Sequence, residues 1–372
     1  MSLKNFFPIF SLVFSLVAFP SDMYACTPDQ SDIYSVSIRE DQHNEEEGGG
    51  HDDFDPREFI FDHIQDSHEW HILTTPKGHH VSIYLPVIVY SKSKGLIAFS
   101  SKHLAHGHQY RGFMIMTEGD LKGEIVEIDD EGYVNEEKLP LDLSITKNVA
   151  AMFVVAILLL WLFISLARSY RKTGISEPRG IQGFLEPVVL FVRDDIAIPN
   201  LGEDKYEKYM PYLLTVFFFI LLNNLLGLIP IFPGGANVTG NIAVTFTLAA
   251  FTMIIINFNG GRGYWQHIFN TPGVPWWLKI PLPLMPIVEL IGVIAKPFAL
   301  MVRLFANITA GHIIVLSLVG LIFIFKSVAF APISIIMVLF MDFIEILVAF
   351  LQAYIFTLLS ALFIGLAVKE EH

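Results

Sequence analysis

Arg303 is the residue of this chain whose position most needs a chemical reason. It lies deep in an almost unbroken apolar stretch from Leu284 to Phe325, too far from either end to extend its head group into water. An arginine at mid-bilayer costs at least about 2.5–3.5 kcal/mol. Its guanidinium cannot shed the proton to escape that cost, because its pKa exceeds about 12. It is a fixed cation in a low-dielectric place, and charges inside a membrane serve function by default. At 3.6 residues per turn, Glu289, Lys296 and Asn307 fall within about 40° of Arg303 on one helix face, with His312 on roughly the opposite face. A second apolar stretch, 327–368, carries Asp342, Glu345, Ala349, Gln352 and Phe356 on one stripe. Polar seams on two apolar helices mark an ion route.

The residue types on those seams suit proton transfer. His312 and Glu345 exchange protons near neutral pH when burial and mutual contact tune them; the other role open to each is a purely structural hydrogen bond. Gln352 does not titrate, but it hydrogen-bonds a guanidinium or orders water. Asn223 and Asn224, near the outer end of an earlier apolar run, suit either the lining of an aqueous entry or amide bonding between helices.

These residues need membrane helices to hold them, and the composition supplies them. Of 372 residues, 53% are hydrophobic and only 16% charged, against about 25% charged in soluble domains, and the mean hydropathy is +0.53. Five membrane segments are expected: 148–167, 209–229, 241–258, and the two long stretches 284–325 and 327–368. Arg168, Arg171, Lys172 and Arg179 follow the first span at once, and the positive-inside rule puts that end in the cytoplasm. Residues 180–200 read as an amphipathic helix at the cytoplasmic interface. The segment 259–283, with Arg262, Trp265, Trp276, Trp277 and Lys279, reads as interfacial. A helix over 284–325 is about 60 Å long, twice the hydrocarbon thickness. No turn signal surrounds Arg303, and one turn is offered between Lys326 and Pro332. A hairpin of two long tilted helices is therefore expected, the other arrangement being shorter upright helices.

The N-terminal third is of another kind. Residues 1–25 read as a secretory signal, with Lys4 before an apolar run from Phe6 to Phe19 and Ala25 at a cleavage point; an uncleaved anchor is the other reading, and either would export the next segment. Residues 26–56 form an acidic low-complexity linker, with Glu45, Glu46, Glu47 and Gly48 to Gly50. Residues 57–147 read as a small exported β-rich domain: Trp70–Leu73 and Val81–Leu85 flank Pro76-Lys77-Gly78 as a hairpin, and Phe113–Thr117 and Glu124–Ile128 are further strands. The net charge of −13 comes largely from this third, and no basic tract interleaved with aromatics indicates nucleic acid. A lone cysteine, Cys26, makes an intrachain disulfide impossible and excludes cysteine-based zinc motifs. The N-terminal histidines cluster in sequence, His63, His68, His71, His79 and His80 in one group and His103, His106 and His108 in another. A zinc or copper site is one reading and solvated or core histidines the other; because the spacing matches no defined metal motif, no metal is expected, nor any cofactor.

The run Lys296-Pro297-Phe298-Ala299-Leu300-Met301-Val302-Arg303-Leu304-Phe305-Ala306-Asn307-Ile308-Thr309-Ala310-Gly311-His312 resembles the signature of F-type ATP synthase subunit a, as does Leu351-Gln352-Ala353-Tyr354-Ile355-Phe356 with the closing Glu370-Glu371-His372. The resemblance covers about residues 148–372, and Phe61 to Ser67 resembles the start of some members. It implies an all-α polytopic membrane fold, carrying here a small β-rich exported N-terminal domain. It implies a non-catalytic stator subunit in a bacterial inner membrane, with the C-terminus cytoplasmic. The partners implied are a ring of small helical-hairpin c subunits, the peripheral-stalk b subunits and the lipid bilayer. Arg303 stands where the family's arginine faces the ring carboxylate, and Asn307, Glu289, Lys296 and Gln352 match polar positions of the family. Many relatives have Glu where His312 stands and His where Glu345 stands, so the acid and imidazole are exchanged here as a pair. An acid found in some relatives is replaced by Gly227. The implied function is coupling of a proton gradient to ring rotation and ATP synthesis through two offset half-channels. An ion-coupled secondary transporter would need repeat symmetry, which is missing. An intramembrane protease would need a motif for which His68-Glu69-Trp70-His71 has the wrong spacing.

Overall fold

The computed structural model describes residues 60, 64–74, 80–116, 119, 121–128, 139–173, 180–229, 232–269, 284–325 and 331–368. The expected signal and acidic linker, the turn at Pro76-Lys77-Gly78, Arg179, Trp276, Trp277, Lys279 and the closing Glu370-Glu371-His372 lie outside the described residues. The chain divides between Ala150 and Ala151 into two compact units.

The N-terminal unit is built from short antiparallel pairs. β1 (Glu69–Thr74) pairs with β2 (His80–Tyr84), with Glu69 opposite Tyr84. β3 (Pro86–Ser91) is the centre of a three-stranded sheet, flanked by β4 (Gly95–Ser100) and the short β7 (Leu141–Asp142). β5 (Phe113–Ile115) pairs with β6 (Ile125–Glu127). The β3–β4 hairpin was not among the expected strands. Its alternation is nevertheless regular: Val87, Val89 and Ser91 are buried on one face, as side chains of period two require. Val87 and Val89 form the core with Leu104, Phe113 and Ile125, so the β5–β6 pair lies against this inner face. Beneath it Glu127 is buried, accepting hydrogen bonds from the hydroxyls of Ser91 (2.5 Å) and Ser93, with the Lys94 ammonium at 3.4 Å. Burial would raise this carboxyl, but the two hydroxyls and Lys94 outweigh it and hold Glu127 below the usual carboxylate range.

The junction to the first membrane helix is tied in the same way. Asp66 Oδ1 accepts from the backbone N–H groups of Ser67 and Asn148, both at 3.0 Å, and the second bond caps an orphan donor at the helix start. His68 Nε2 lies 2.9 Å from Asp142 Oδ2. Burial alone would raise Asp142. The hydrogen bond and charge of His68, with the Ser144 hydroxyl and N–H, hold it below the ordinary range instead.

The C-terminal unit is helical, and among the described residues five helices are long and apolar enough to cross a membrane. α1 (Lys147–Thr173) leads into α2 (Ile181–Phe191), a π-helical segment at Val192–Ala197 and a single turn, α3 (Ile198–Leu201). The expected amphipathic helix is thus interrupted by one wide turn carrying Arg193, which bonds the neighbouring Asp194 at 2.7 Å. α4 (Tyr206–Leu228) and α5 (Ile242–Asn259) are followed by the short α6 (Arg262–Phe269). The last two helices are unbroken: α7 (Leu284–Ile324) has 41 residues and runs straight through Pro297, and α8 (Ala331–Val368) has 38. At 1.5 Å per residue both exceed the hydrocarbon thickness by far, as the tilted-hairpin expectation requires. α8 packs against α4, α7 and α5. Its C-terminal end is finished by two donors, Lys205 Nζ to the Val368 carbonyl (3.0 Å) and Gly261 N–H to the Ala367 carbonyl (3.0 Å), which satisfy orphan acceptors of the last turn. Gly365 allows the close approach there, since a Cβ would lie 2.2 Å from the Asn200 carbonyl oxygen.

Candidate functional site

Ala349, Gln352, Phe356 and Glu345 are buried on α8, and Ala353, Thr357, Ser360 and Ala361 continue that face. The stripe read from helical spacing is therefore the face turned into the bundle. Opposite it, α7 places Ile308, Gly311 and His312, and α4 contributes Asn224 and Leu228. Together with Asn307, Glu345, Val348 and Ala349 these residues enclose a cavity of about 20 Å³, enough for one water molecule. Polar groups of three helices converge on it: the Glu345 carboxylate, the His312 imidazole and the amides of Asn224 and Asn307. The Glu345 acid and the His312 imidazole thus line one cavity.

The cavity's surroundings are fixed by side chains that hold one another. Asn307 Nδ2 donates to Gln352 Oε1 at 3.0 Å, joining α7 to α8. Asn224 Nδ2 donates to the Ala349 carbonyl at 3.5 Å, and Thr239 donates its hydroxyl to Asn224 Oδ1 at 2.6 Å. Gly311 lies directly under Glu345, where a Cβ would come 2.7 Å from Oε1. A side chain at that place would make the carboxylate shift. Gly227 faces His312: a Cβ there would stand 3.7 Å from Nε2 and 3.2 Å from the Ala236 carbonyl oxygen. Two atoms in the site are buried with no hydrogen-bond partner among the described residues, Glu345 Oε1 and Gln352 Nε2. Buried polar atoms are nearly always paired, so Glu345 Oε1 has capacity left to accept from water or take a proton, and Gln352 Nε2 to donate to water.

Arg303 takes a different position. It is exposed on α7, one turn from Asn307, and its guanidinium has no hydrogen bond or ion pair among the described residues. The neighbouring α7 positions Val302, Ala306 and Ala310 are exposed as well. The cation therefore stands on the outer face of the helix, with the Asn307–Gln352 pair and the cavity behind it.

The remaining expected residues separate. Asn223 does not reach the cavity; its Nδ2 donates to the Phe219 carbonyl one turn back (2.8 Å). Glu289 lies at the other end of α7, with its Oε1 3.7 Å from His267 Nδ1. Nearby on α6, Tyr264 is raised above the usual phenol range, first by burial and then by the Glu289 charge. Lys296 is exposed with its ammonium 5.5 Å from the Phe363 ring centre. Neither Glu289 nor Lys296 borders the cavity; both lie toward the start of α7.

Sequence spacing missed four contributors. Thr239 sits in the loop before α5, and nothing in that Gly- and Asn-containing loop signals a bond to Asn224. Gly311 is visible only as a glycine inside a helix, which calls for a packing reason. Tyr264 and His267 lie on α6, which only the structure brings to Glu289. A buried hydroxyl ladder, Tyr212 to Thr252 (2.7 Å) and Thr252 to Ser360 (3.5 Å), also joins α4, α5 and α8. Among the described residues no group of three or more His, Cys, Asp or Glu side chains is gathered as a metal ion would require.

Comparison with known proteins accounts for both units. The family model described as ATP synthase A chain matches residues 149–365, and a domain of unknown function, DUF8433, matches residues 59–144. ATP synthase subunit a of Chloroherpeton thalassium is 45% identical over 261 residues, covering 68% of this chain and 75% of the relative. ATP synthase subunit a 2 of Chlorobaculum tepidum is 50% identical over 237 residues, 62% of this chain and 65% of the relative. ATP synthase subunit a of Myxococcus xanthus is 46% identical over 239 residues, 62% of this chain and 75% of the relative.

Proposed function

The chain belongs to the ATP synthase A chain family, and from that premise we propose that it is the stator channel of a rotary ATP synthase in which Arg303 meets the carboxylate of a rotating c-subunit ring. Membership makes it a multi-pass membrane subunit of an ATP synthase, serving ATP synthesis and ion transport. The finer reading rests on one observation: a permanent cation stands exposed and without a partner among the described residues on a membrane helix, directly outside a polar cavity. An unpaired guanidinium in lipid is too costly to keep, so the face that carries it is covered in the assembled complex by a group of opposite charge.

In this reading Arg303 does two things. It lowers the pKa of each ring carboxylate that passes, favouring release of its proton. It also repels a free proton electrostatically, keeping the two half-channels from joining into a leak. The cavity formed by His312, Glu345, Asn224 and Asn307 belongs to the outer route and hands protons to the ring; Asn223 braces its α4 wall. Gln352 orients Asn307 and receives water through its unpartnered Nε2. Glu289 and Lys296, with Tyr264 and His267, form the inner mouth. Each charge that crosses gains about 2.3 kcal/mol per 100 mV, which drives rotation. The N-terminal unit lies on the exported side, the C-terminus in the cytoplasm, and peripheral-stalk b subunits hold the chain against the torque.

Disulfide trapping tests the reading. A cysteine at Ala306, one turn from Arg303 on the exposed face, should cross-link to a cysteine beside the ring carboxylate under mild oxidation. The same experiment from Ala353, buried on α8, should give no product. Cross-linking from Ala353 but not from Ala306 would overturn the assignment.

A further inference from the structure

The three-stranded sheet of the N-terminal unit has two unlike faces. The inner face, with Val87 and Val89, is packed under Phe113 and Ile125. The outer face carries Ile88 and Tyr90 from β3, opposite Ala98 and Leu96 of β4, with Leu141 of β7 paired to Tyr90. Leu143 extends this row. These groups are open: Leu96 is 66% exposed, Tyr90 47%, Leu141 41% and Leu143 39%. None of the six is charged, and Asp142, between the two leucines, turns the other way to His68. A contiguous apolar face on a water-facing unit marks an interaction site.

What covers it is indicated by where the sheet leads. The β7 ladder does not stop at Asp142: Leu143 N–H donates to the Ile88 carbonyl (2.8 Å) and Ile145 N–H to the Pro86 carbonyl (3.1 Å). Two residues later the backbone becomes α1, an apolar helix able to cross a membrane. Lys147 N–H is itself bonded to the Ser67 carbonyl at 2.8 Å. At about 3.3 Å per residue, Leu143 stands roughly 13 Å from the helix start. The strand that carries Leu141 and Leu143 is thus hydrogen-bonded almost up to the start of a helix able to cross a membrane, with no long linker in the sequence between them. We propose that this outer face is a monotopic membrane contact, with Leu96, Leu141 and Leu143 seated among the lipid acyl chains and Tyr90 at head-group level. Tyrosine suits that level because its ring is apolar and its hydroxyl polar.

Nitroxide spin labels decide this in the full-length protein, reconstituted in liposomes with Cys26→Ser as background. Labels at Leu96→Cys and at Leu141→Cys, both already exposed, are compared with one at Glu124→Cys, an exposed site next to the β5–β6 pair on the other side of the sheet. Collision with oxygen, which concentrates in lipid, is expected to exceed collision with a water-soluble nickel chelate several-fold at 96 and 141, with the order reversed at 124. Labels at 96 and 141 that follow the aqueous pattern of 124 would overturn the proposal. So would labels shielded from both reagents, which would mean that protein covers the face. The control at 124 sets the aqueous pattern in the same samples.

Discussion

Glu127 and Glu345 are two carboxylates buried to a similar degree, 5% and 9% exposed, with opposite surroundings. In the N-terminal unit both Glu127 oxygens are occupied, by two serine hydroxyls and a lysine. In the membrane unit Glu345 Oε1 has no partner among the described residues, rests on a glycine and borders a cavity fit for water. A saturated carboxylate stays ionised and braces a fold. A carboxylate short of donors, with water at hand, is one that changes protonation state. The same side chain is structural in one unit and a candidate working group in the other, and the number of donors around it makes the difference.

The contrast between the two carboxylates is tested most severely at Glu345. Replacement by Gln keeps the volume but removes the titrating group, and should lower ATP-driven proton pumping in inverted vesicles by about 10²-fold or more with the complex still assembled. The double exchange His312→Glu with Glu345→His, which restores one acid and one imidazole to the cavity, should recover much of the activity that either single change loses. A smaller loss, about tenfold, is expected for Gly311→Ala, because the added methyl occupies the place of the Glu345 carboxylate; the same pumping assay measures it. Glu127→Ala should leave pumping unchanged and instead strand Ser91 and Lys94, costing the N-terminal unit about 1–3 kcal/mol, read as lost hydrogen-exchange protection at Val89 and Val126. The smallest effect concerns Asp142. Its carboxyl is held low in the folded chain, so its contribution to stability is complete above the ordinary carboxylate pKa of about 3.9 and is lost only as pH falls through the lower folded value. Exchange protection at Leu143 and Ile145 should therefore hold from neutral pH to about pH 4.5 and decline below it, and Asp142→Asn should remove that dependence.

The membrane helices were legible because lipid imposes long apolar runs, and each of the five apolar runs folds, among the described residues, as a helix long enough to cross a membrane. The continuity of α7 was legible too, since no turn residue surrounds Arg303 and Pro297 alone does not end the helix. Arg303 declared itself by the cost of its position. The cavity was only half legible. Helical spacing put Glu345 and Gln352 on one stripe, but the wheel says nothing of Thr239, which meets Asn224 through a loop fold, nor of α6 meeting Glu289. Asn223 and Asn224 are adjacent in sequence and equal in chemistry; the structure alone separates the brace from the cavity wall. In the N-terminal unit, the β3–β4 hairpin escaped notice although Pro86–Ser91 and Gly95–Ser100 alternate regularly. Their outer positions are apolar, so the polar-out signature of a half-exposed strand is absent. The π-helical turn at Val192–Ala197 has no sequence signature at all.

If the Arg303 guanidinium meets a ring carboxylate and separates two proton routes, its removal has a distinct signature. Vesicles containing the intact complex with Arg303→Ala measure it directly. Assembly at normal levels is expected, with no ATP synthesis and no ATP-driven acidification, together with faster passive proton flow through the membrane sector. ATP-driven acidification at the level of the unmodified complex would contradict that role for Arg303.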